Sequence, residues 1–560
     1  MQKKKQFPGR TWRENSWQYD QYHARRVANV VMDTYTKLPA KGKPRTSIDP
    51  NDPNPKFEWT VLSAIVIRFG PIYYVAGLGS GTGVLPKSSY SKNGELVHDS
   101  HAEVLARRAF VRYMYREMKL ALKNESKILK LAPLGSPYTF VMHRWISLHL
   151  YSSQAPCGDC STVSLDQAQS DEARTLNEQK RADHKVKTKG KQPATVDETV
   201  SELNKPDAMG YERSYSDDNS SSSTTIKPDL NAKNVDNAQN HDTSSTDDTT
   251  APLARGRMDY QLLGALRTKP GRNDASPTES LSCSDKIARW NVLGLNGAIQ
   301  SSLVAPMYLS SIIIGDLFHP QSLQRAIFDR VQGITGLPSF YFVHQPSFFH
   351  TEVEFPYSRN TVESNAAKTP GASIKPSPNA VAYYPQINYV KHIFFSTPIV
   401  DEIVQGRKMG TPKPDRTTYR IKPEFSPFVS RLHMLKALHE LLDALPDWVG
   451  SDHCILRRLT PQTTYLDLKL VKSDYKSARS CLIQQKFPSW LVSDRELYRF
   501  YKNGDRPTVI PNSENGDSTA LNDTTGGEDS LIKDDLFDAE WEEALQEKKA
   551  DPSCVDQMEM

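Results

Sequence analysis

Apolar positions along this chain fall into short runs whose spacing switches between the two-residue repeat of strands and the three-to-four-residue repeat of helices. Residues from about Tyr19 to Leu38 read as a first helix. Trp59–Ile67 and Ile72–Ala76 read as two strands joined by the turn Phe69-Gly70-Pro71. A helix follows over Ala102–Leu122, then a strand over Ile146–Leu150 that ends just before Pro156-Cys157. After a long gap come a helix over Asp285–Val292, a strand over Met307–Ile314 and a helix over Leu323–Val331. Strands interleaved with helices predict an α/β fold, a sheet layered by helices on both faces.

The gap is different material. Residues 166–250 are rich in Ser, Asp, Asn, Thr, Lys and Gln, with Ser220–Ser223 near the middle. Such a segment buries too little apolar surface to offset the entropy of ordering it. It is expected to be a disordered insertion within one domain spanning residues 19–505, because related motifs lie on both sides of it. Residues 506–560 form a more acidic tail, also expected to be disordered, in which Trp541 and Leu545 stand among carboxylates.

Composition narrows the class. With 560 residues, 38% hydrophobic content and a net charge of only +4, any basic surface must be local. Six scattered cysteines do not make a disulfide framework in a chain of this size. The start, Met1–Gln6 running into Pro8-Gly9, carries no apolar stretch, so no secretory signal is expected. Trp59–Leu78 is broken by Arg68 and Gly70-Pro71, so no membrane span is expected either. A reducing compartment, cytoplasm or nucleus, is the expected setting. A Cys/His cluster there favours metal.

Three separated fragments supply that cluster: His101-Ala102-Glu103, Pro156-Cys157-Gly158-Asp159-Cys160 and Ser282-Cys283-Ser284-Asp285-Lys286. Alone, Ser100-His101-Ala102-Glu103 also fits a helix capping box. With the second fragment it becomes H-x-E…P-C-x-x-C, the signature of zinc nucleobase deaminases. Those sites need one His and two thiolates on zinc, an open fourth position, and a Glu that carries protons without binding the metal. Spacing leaves the second thiolate open between Cys160 and Cys283.

Ser282-Cys283-Ser284-Asp285-Lys286-Ile287-Ala288-Arg289-Trp290 resembles the adenosine deaminases that act on RNA. Leu266–Arg272 and Ser276-Pro277-Thr278 are most similar to their tRNA-specific branch. The resemblance covers most of the chain outside the insertion and tail. It implies a cytidine-deaminase-like α/β/α sandwich with a mixed sheet, expanded by C-terminal helices. It implies zinc on His101, Cys157 and Cys283, with Glu103 as proton carrier and Thr82 against the target ribose. Cys160 departs from the small residue common in that family. A buried inositol hexakisphosphate is implied too, ringed by Arg107, Arg108, Lys286, Arg289, Trp290, Tyr465, Lys469, Tyr475, Arg479 and Trp490. So many enclosed cations would be prohibitive without a polyanion. Val492 and Ser493 stand where the double-stranded-RNA editors carry charge.

The implied reaction is hydrolytic deamination of adenosine to inosine in tRNA, at position 37 beside the anticodon of alanine tRNA. Editing of other structured or double-stranded RNA is the alternative, but no double-stranded-RNA-binding module fits before the first strand or in the insertion. A non-catalytic RNA-binding protein with a structural zinc would close the metal with four protein ligands and leave Glu103 unused. The expected partner is tRNA, with no DNA, no membrane and no obligate protein partner evident.

Overall fold

The computed structural model describes residues 16–45, 54–167, 253–446 and 460–507, apart from 134, 257–259, 261, 272–274, 277, 391–392, 416, 418–419, 461 and 472. The insertion and tail read from the sequence lie outside the described residues, except 166–167 and 506–507.

The central sheet has eight strands: β1 Leu62–Phe69, β2 Ile72–Ser80, β3 Ile146–Gln154, β4 Ser311–Asp316, β5 Ser347–His350, β6 Asn379–Val390, β7 Ile393–Val404 and β8 Arg407–Lys408. Their spatial order is β5-β4-β3-β1-β2-β6-β7-β8. β4 runs parallel to β3 and β5, whereas the pairs β3/β1, β1/β2, β2/β6 and β6/β7 are antiparallel, so the sheet is mixed. The expected α/β/α architecture is present.

The helices that matter here are α1 His23–Lys37, α2 Ala102–Leu122, α3 Cys283–Leu293, α4 Pro320–Ile327, α5 Arg431–Leu442, α6 Tyr465–Leu470 and α7 Asp474–Lys486. β1 shows why its sequence is apolar without alternation. Leu62, Ala64 and Val66 pack with Val27, Val31 and Tyr35 of α1, while Ile65 and Ile67 face α2 and its neighbours on the other side. A strand covered on both faces has no polar side to show. On the second face α2 lies unusually close to β2. A Cβ at Gly77 would collide with the Phe110 backbone, and one at Gly79 with the Ala102 carbonyl. These two glycines let the start of α2 settle onto the sheet.

Several boundaries differ from the sequence reading. The first helix begins at His23, after a 3-10 turn over Ser16–Tyr19 that buries Trp17. Trp59–Ile67 is two strands rather than one: Lys56–Trp59 pairs with Ser373–Pro376, and Thr60 turns away by donating its N–H to the Tyr357 carbonyl. β4 starts at Ser311, not Met307. The capping box does not form. Ser100 lies in a short strand, Asp99–His101, paired with Thr82–Val84, so His101 becomes the N-cap of α2 without a side-chain cap bond.

Helix α1 is fastened to the sheet by buried imidazoles. His23 Nδ1 meets Tyr73 Oη at 3.1 Å and its Nε2 meets Ser311 Oγ at 3.1 Å, while His149 Nδ1 meets the same Ser311 Oγ at 2.7 Å. Burial lowers His23 to about 4, against a weaker opposing pull from Asp20. Because its folded value lies below the unfolded one, His23 stabilises fully above about pH 6.5 and loses that contribution as pH falls towards about 4. His23→Gln should therefore flatten the acid loss of thermal stability, by up to about 3 kcal/mol between those limits. Melting curves for both proteins from pH 7 to 4 check this, and parallel slopes would reject it.

Candidate active site

Three elements bring the candidate metal ligands together. His101 sits at the N-terminus of α2, Cys157 follows β3, and Cys283 is the first residue of α3. Gly158 has φ +101° and passes so close to Ser282 that a Cβ would overlap its side chain, which brings the Cys157 loop against the start of α3. The Cys283 N–H donates to Cys157 Sγ at 3.3 Å. Ser282 caps α3 by accepting from Asp285 N at 3.2 Å. A helix N-terminus favours a thiolate at its first residue.

His101 Nδ1 lies 3.7 Å from Cys157 Sγ and 3.7 Å from Cys283 Sγ, and the three donor atoms lie within 4.8 Å of one another. A tetrahedral zinc with ordinary Zn–S and Zn–N bonds needs N–S edges of about 3.6 Å. The donor set therefore fits zinc, and it leaves one of four positions free. Glu103 is buried, its Oε2 is 3.2 Å from Cys283 Sγ, and it lies outside the donor trio. Burial, with the Cys157 sulfur adding to it, raises its carboxyl above the usual range, which suits a group that takes and returns a proton. Hydrogen bonding from Cys283 holds the Cys157 thiol well below the usual range, and burial, with the neighbouring Cys157, pushes Cys283 above it.

Cys160 is elsewhere. It is fully buried, and burial pushes its thiol up to about 12, so it stays protonated in the core. Cys160 is not one of the three donors that converge here. Thr82 is the ladder partner of His101 across the Thr82–Val84 and Asp99–His101 strands, which places it beside the donors.

Asp99, Lys269 and Ser280, which the sequence did not single out as site residues, join Lys286 in a charged network beside the trio. Asp99 is buried and accepts from Lys269 Nζ at 2.8 Å, from Ser280 Oγ at 2.6 Å, from Lys286 Nζ, and from the His101 N–H at 3.0 Å. Burial alone would raise the Asp99 carboxyl, but Lys269 and Lys286 override it and hold it well below the usual range. Lys269 Nζ also reaches Cys283 Sγ at 3.3 Å, close enough to favour the thiolate. Lys269 lies within the motif Leu266–Arg272, yet nothing in that run of sequence announces its contact with Cys283.

The cations named for a polyphosphate gather around α2, α3, α6 and α7, with one exception. Lys286 is taken up by Asp99 and Ser280 Oγ, at the metal end. Arg107 donates to the Asn296 carbonyl at 2.6 Å and lies over Trp290, Arg289 lies over Trp490, and Lys469 lies over Tyr498 at 3.8 Å from the ring centre. Arg107, Arg108, Tyr465 and Lys469 share the wall of a cavity with Gln300 and Met434. Asn296, Trp290 and Trp490 carry no charge to answer Arg107 and Arg289. Burial lowers Arg107 and Arg108 to about 10, with neighbouring arginines pulling the same way. Burial would raise Tyr498, but Lys469 and Arg431 draw it down to about 7. Tyr475 and Arg479 on α7 complete the group through their effect on Arg289. Among the described residues Arg107 Nε and Trp290 Nε1 are buried without a hydrogen-bond partner. Arg431 and Tyr498 were not anticipated, since a lone Arg or Tyr in a helical or loop segment carries no signal of its own.

A mixed sheet between helices, a His–Cys–Cys donor set with His101 and Cys283 at helix N-termini, and an adjacent carboxyl define a deaminase enzyme. Residues 77–494 match the adenosine-deaminase (editase) domain, and the chain belongs to that family. It is similar to tRNA-specific adenosine deaminase 1 of Homo sapiens, 26% identical over 542 residues covering 85% of this chain and 99% of the relative. The protein of the same name from Drosophila melanogaster is 26% identical over 485 residues, covering 85% and 96%. The double-stranded RNA-specific editase Adar of the same fly is 23% identical over 340 residues, covering 60% and 39%.

Cys283→Ala should abolish stoichiometric zinc, whereas Cys160→Ala should retain it, because only the former removes a donor from the trio. Metal analysis of the two purified proteins decides between them. The reverse result would assign the site to the local C-x-x-C.

Proposed function

We propose that this chain converts adenosine to inosine in tRNA by zinc-dependent hydrolysis, with His101, Cys157 and Cys283 as metal ligands and Glu103 as the proton carrier. The observation that carries this reading is the placement of Glu103, buried against Cys283 yet outside a donor set that leaves one position open. When bound, zinc supplies the acidity that makes water a nucleophile near neutral pH. Glu103 takes the proton from that water and delivers it to ring nitrogen 1 of the adenine as carbon 6 gains the hydroxyl. The same carboxyl then moves a proton to the departing amine, so ammonia leaves and the base becomes hypoxanthine. Lys269 adds a positive charge beside Cys283 that favours its thiolate as a metal ligand, Asp99 holds Lys269, and Thr82 lies on the strand opposite His101. A structural zinc would have no use for the enclosed Glu103.

Support for tRNA over duplex RNA comes from coverage. The tRNA-specific relatives align across nearly their whole length, while the editase named for double-stranded RNA is covered over 39%. The base next to the anticodon, position 37 of alanine tRNA, is the proposed target. An anticodon loop presents its bases largely unpaired, which lowers the cost of drawing one into a pocket. Inositol hexakisphosphate is the proposed ligand of the cationic interior, supported by orphaned Arg107 Nε and Trp290 Nε1 and by the depressed Tyr498 hydroxyl. The cytoplasm or nucleus is the proposed location; among the described residues no helix is long and apolar enough to cross a membrane.

Glu103→Gln should lower inosine formation by about 10²–10⁴-fold, the usual worth of a positioned acid–base group, with zinc near one per chain. Loss of zinc in step with activity would instead make Glu103 a ligand. Incubation with total tRNA and with duplex RNA, followed by inosine mapping, should show modification in the former alone.

Protein purified without denaturant should release an inositol polyphosphate on denaturation, read by mass spectrometry of the supernatant. A folded, active protein with none would remove that ligand and leave the zinc chemistry standing.

A further inference from the structure

The two cysteine loops are held by one plan. Asp159 stands two residues after Cys157 and Asp285 two residues after Cys283, and both carboxylates are fully buried. Each accepts one backbone N–H from the segment 262–268: Gly264 N reaches Asp159 Oδ1 at 3.1 Å, and Arg267 N reaches Asp285 Oδ2 at 2.9 Å. Each also meets one guanidinium from a single stretch of chain, α4 and the 3-10 turn Asp329–Val331 that continues it. Arg325 grips Asp159 at both carboxylate oxygens, 3.1 and 3.3 Å away, and at its carbonyl, 3.2 Å away. Arg330 donates to Asp285 Oδ1 at 2.7 Å. The flank of Arg330 lies against the Phe487 ring, which limits its freedom to move.

Neither arginine belongs to the donor trio. Buried ion pairs add little net stability over apolar pairs of the same size. What they do supply is direction: the fork of Arg325 spans both oxygens of Asp159, and Arg330, fixed by its Nε on the Ala326 carbonyl, aims Nη1 at one oxygen of Asp285. We propose that Arg325 and Arg330 are positioning residues that together set the separation of the Cys157 and Cys283 sulfurs, so that α4 and the 3-10 turn after it align both thiolate ligands. The inference rests on the zinc reading given above. It goes further by assigning the metal geometry to residues more than forty positions from any ligand in sequence, on a stretch that contributes no donor to the trio.

The test uses the full-length chain, with zinc affinity measured by competition against a chromogenic chelator and site geometry by the absorption bands of the cobalt(II)-substituted protein. Arg325→Met and Arg330→Met should each weaken zinc binding by about 10- to 100-fold, the range for partners that orient metal ligands, and should shift the cobalt bands. Arg116→Met, which breaks the Arg116–Glu117 pair on α2 far from the site, serves as control for lost stability. The neutralised pairs Asp159→Asn/Arg325→Met and Asp285→Asn/Arg330→Met leave no buried charge unpaired, so they should recover thermal stability while zinc affinity and cobalt bands stay altered. If a Met variant fails to fold, the neutralised pair carries the measurement. Arg325→Lys and Arg330→Lys, which keep the charge without the fork, should lie between wild type and Met. Affinity and spectra that return with thermal stability, or that merely follow it as in Arg116→Met, would overturn the proposal. A wild-type protein without zinc would show itself first, and would remove the zinc reading along with it.

Discussion

Two lysines cannot be enclosed beside a pair of sulfurs unless a buried anion meets them, and Asp99 is that anion. It sits one residue before Ser100 and two before His101, so the strand that presents the imidazole also presents the countercharge. Through Lys269 it reaches Cys283, and through Lys286 it reaches α3. Desolvation of an isolated carboxylate costs several kcal/mol even after relaxation, so the arrangement holds only while all its hydrogen bonds are made together. The consequence is mutual dependence: His101, Cys283, Lys269 and Lys286 share a single electrostatic reference.

The interior beyond this point is set by charge of the other sign. Arg107 and Arg108 leave α2 one turn after Glu103, and Arg289 leaves α3 two turns after Cys283. The same helix N-termini that face the metal therefore send cations into the space lined by α6 and α7. The faces of Trp290 and Trp490 receive Arg107 and Arg289, and that of Tyr498 receives Lys469 from α6. Rings soften the cost of enclosing a cation by about 2 kcal/mol or somewhat more at best, which is less than the cost of burying it. A polyanion closes that difference in the proposed holoprotein. The zinc end and the cationic end share helices while differing in the charge they require.

Much of the fold was legible because the chain's periodicity is strong where both faces of the sheet are covered. β1, β2, α2 and α3 were placed to within a few residues. The hairpin of β6 and β7 was not read at all. Pro385 and Pro398 face each other across it, and prolines in an apolar run argue against a strand when only sequence is in view. The capping-box reading of Ser100 failed because pairing of Asp99–His101 with Thr82–Val84 took Ser100 into a strand, a long-range event that local spacing does not encode.

At the site, the sequence alone determined which chemistry was present. H-x-E, P-C-x-x-C and S-C-S-D-K fix residue types whose combination makes little sense apart from zinc and proton transfer. Tertiary structure decided which sulfurs meet. Cys160 lies three residues from Cys157 and Cys283 lies far along the chain, yet Gly158 bends the loop so that Cys160 enters the core while Cys283 turns to His101. It also decided that Lys286 meets Asp99, and that Arg325 and Arg330 reach the two ligand loops. The physical reason is common to all of these. Spacing records neighbours along the chain, whereas burial and hydrogen-bond satisfaction are settled among elements that only the folded sheet brings side by side.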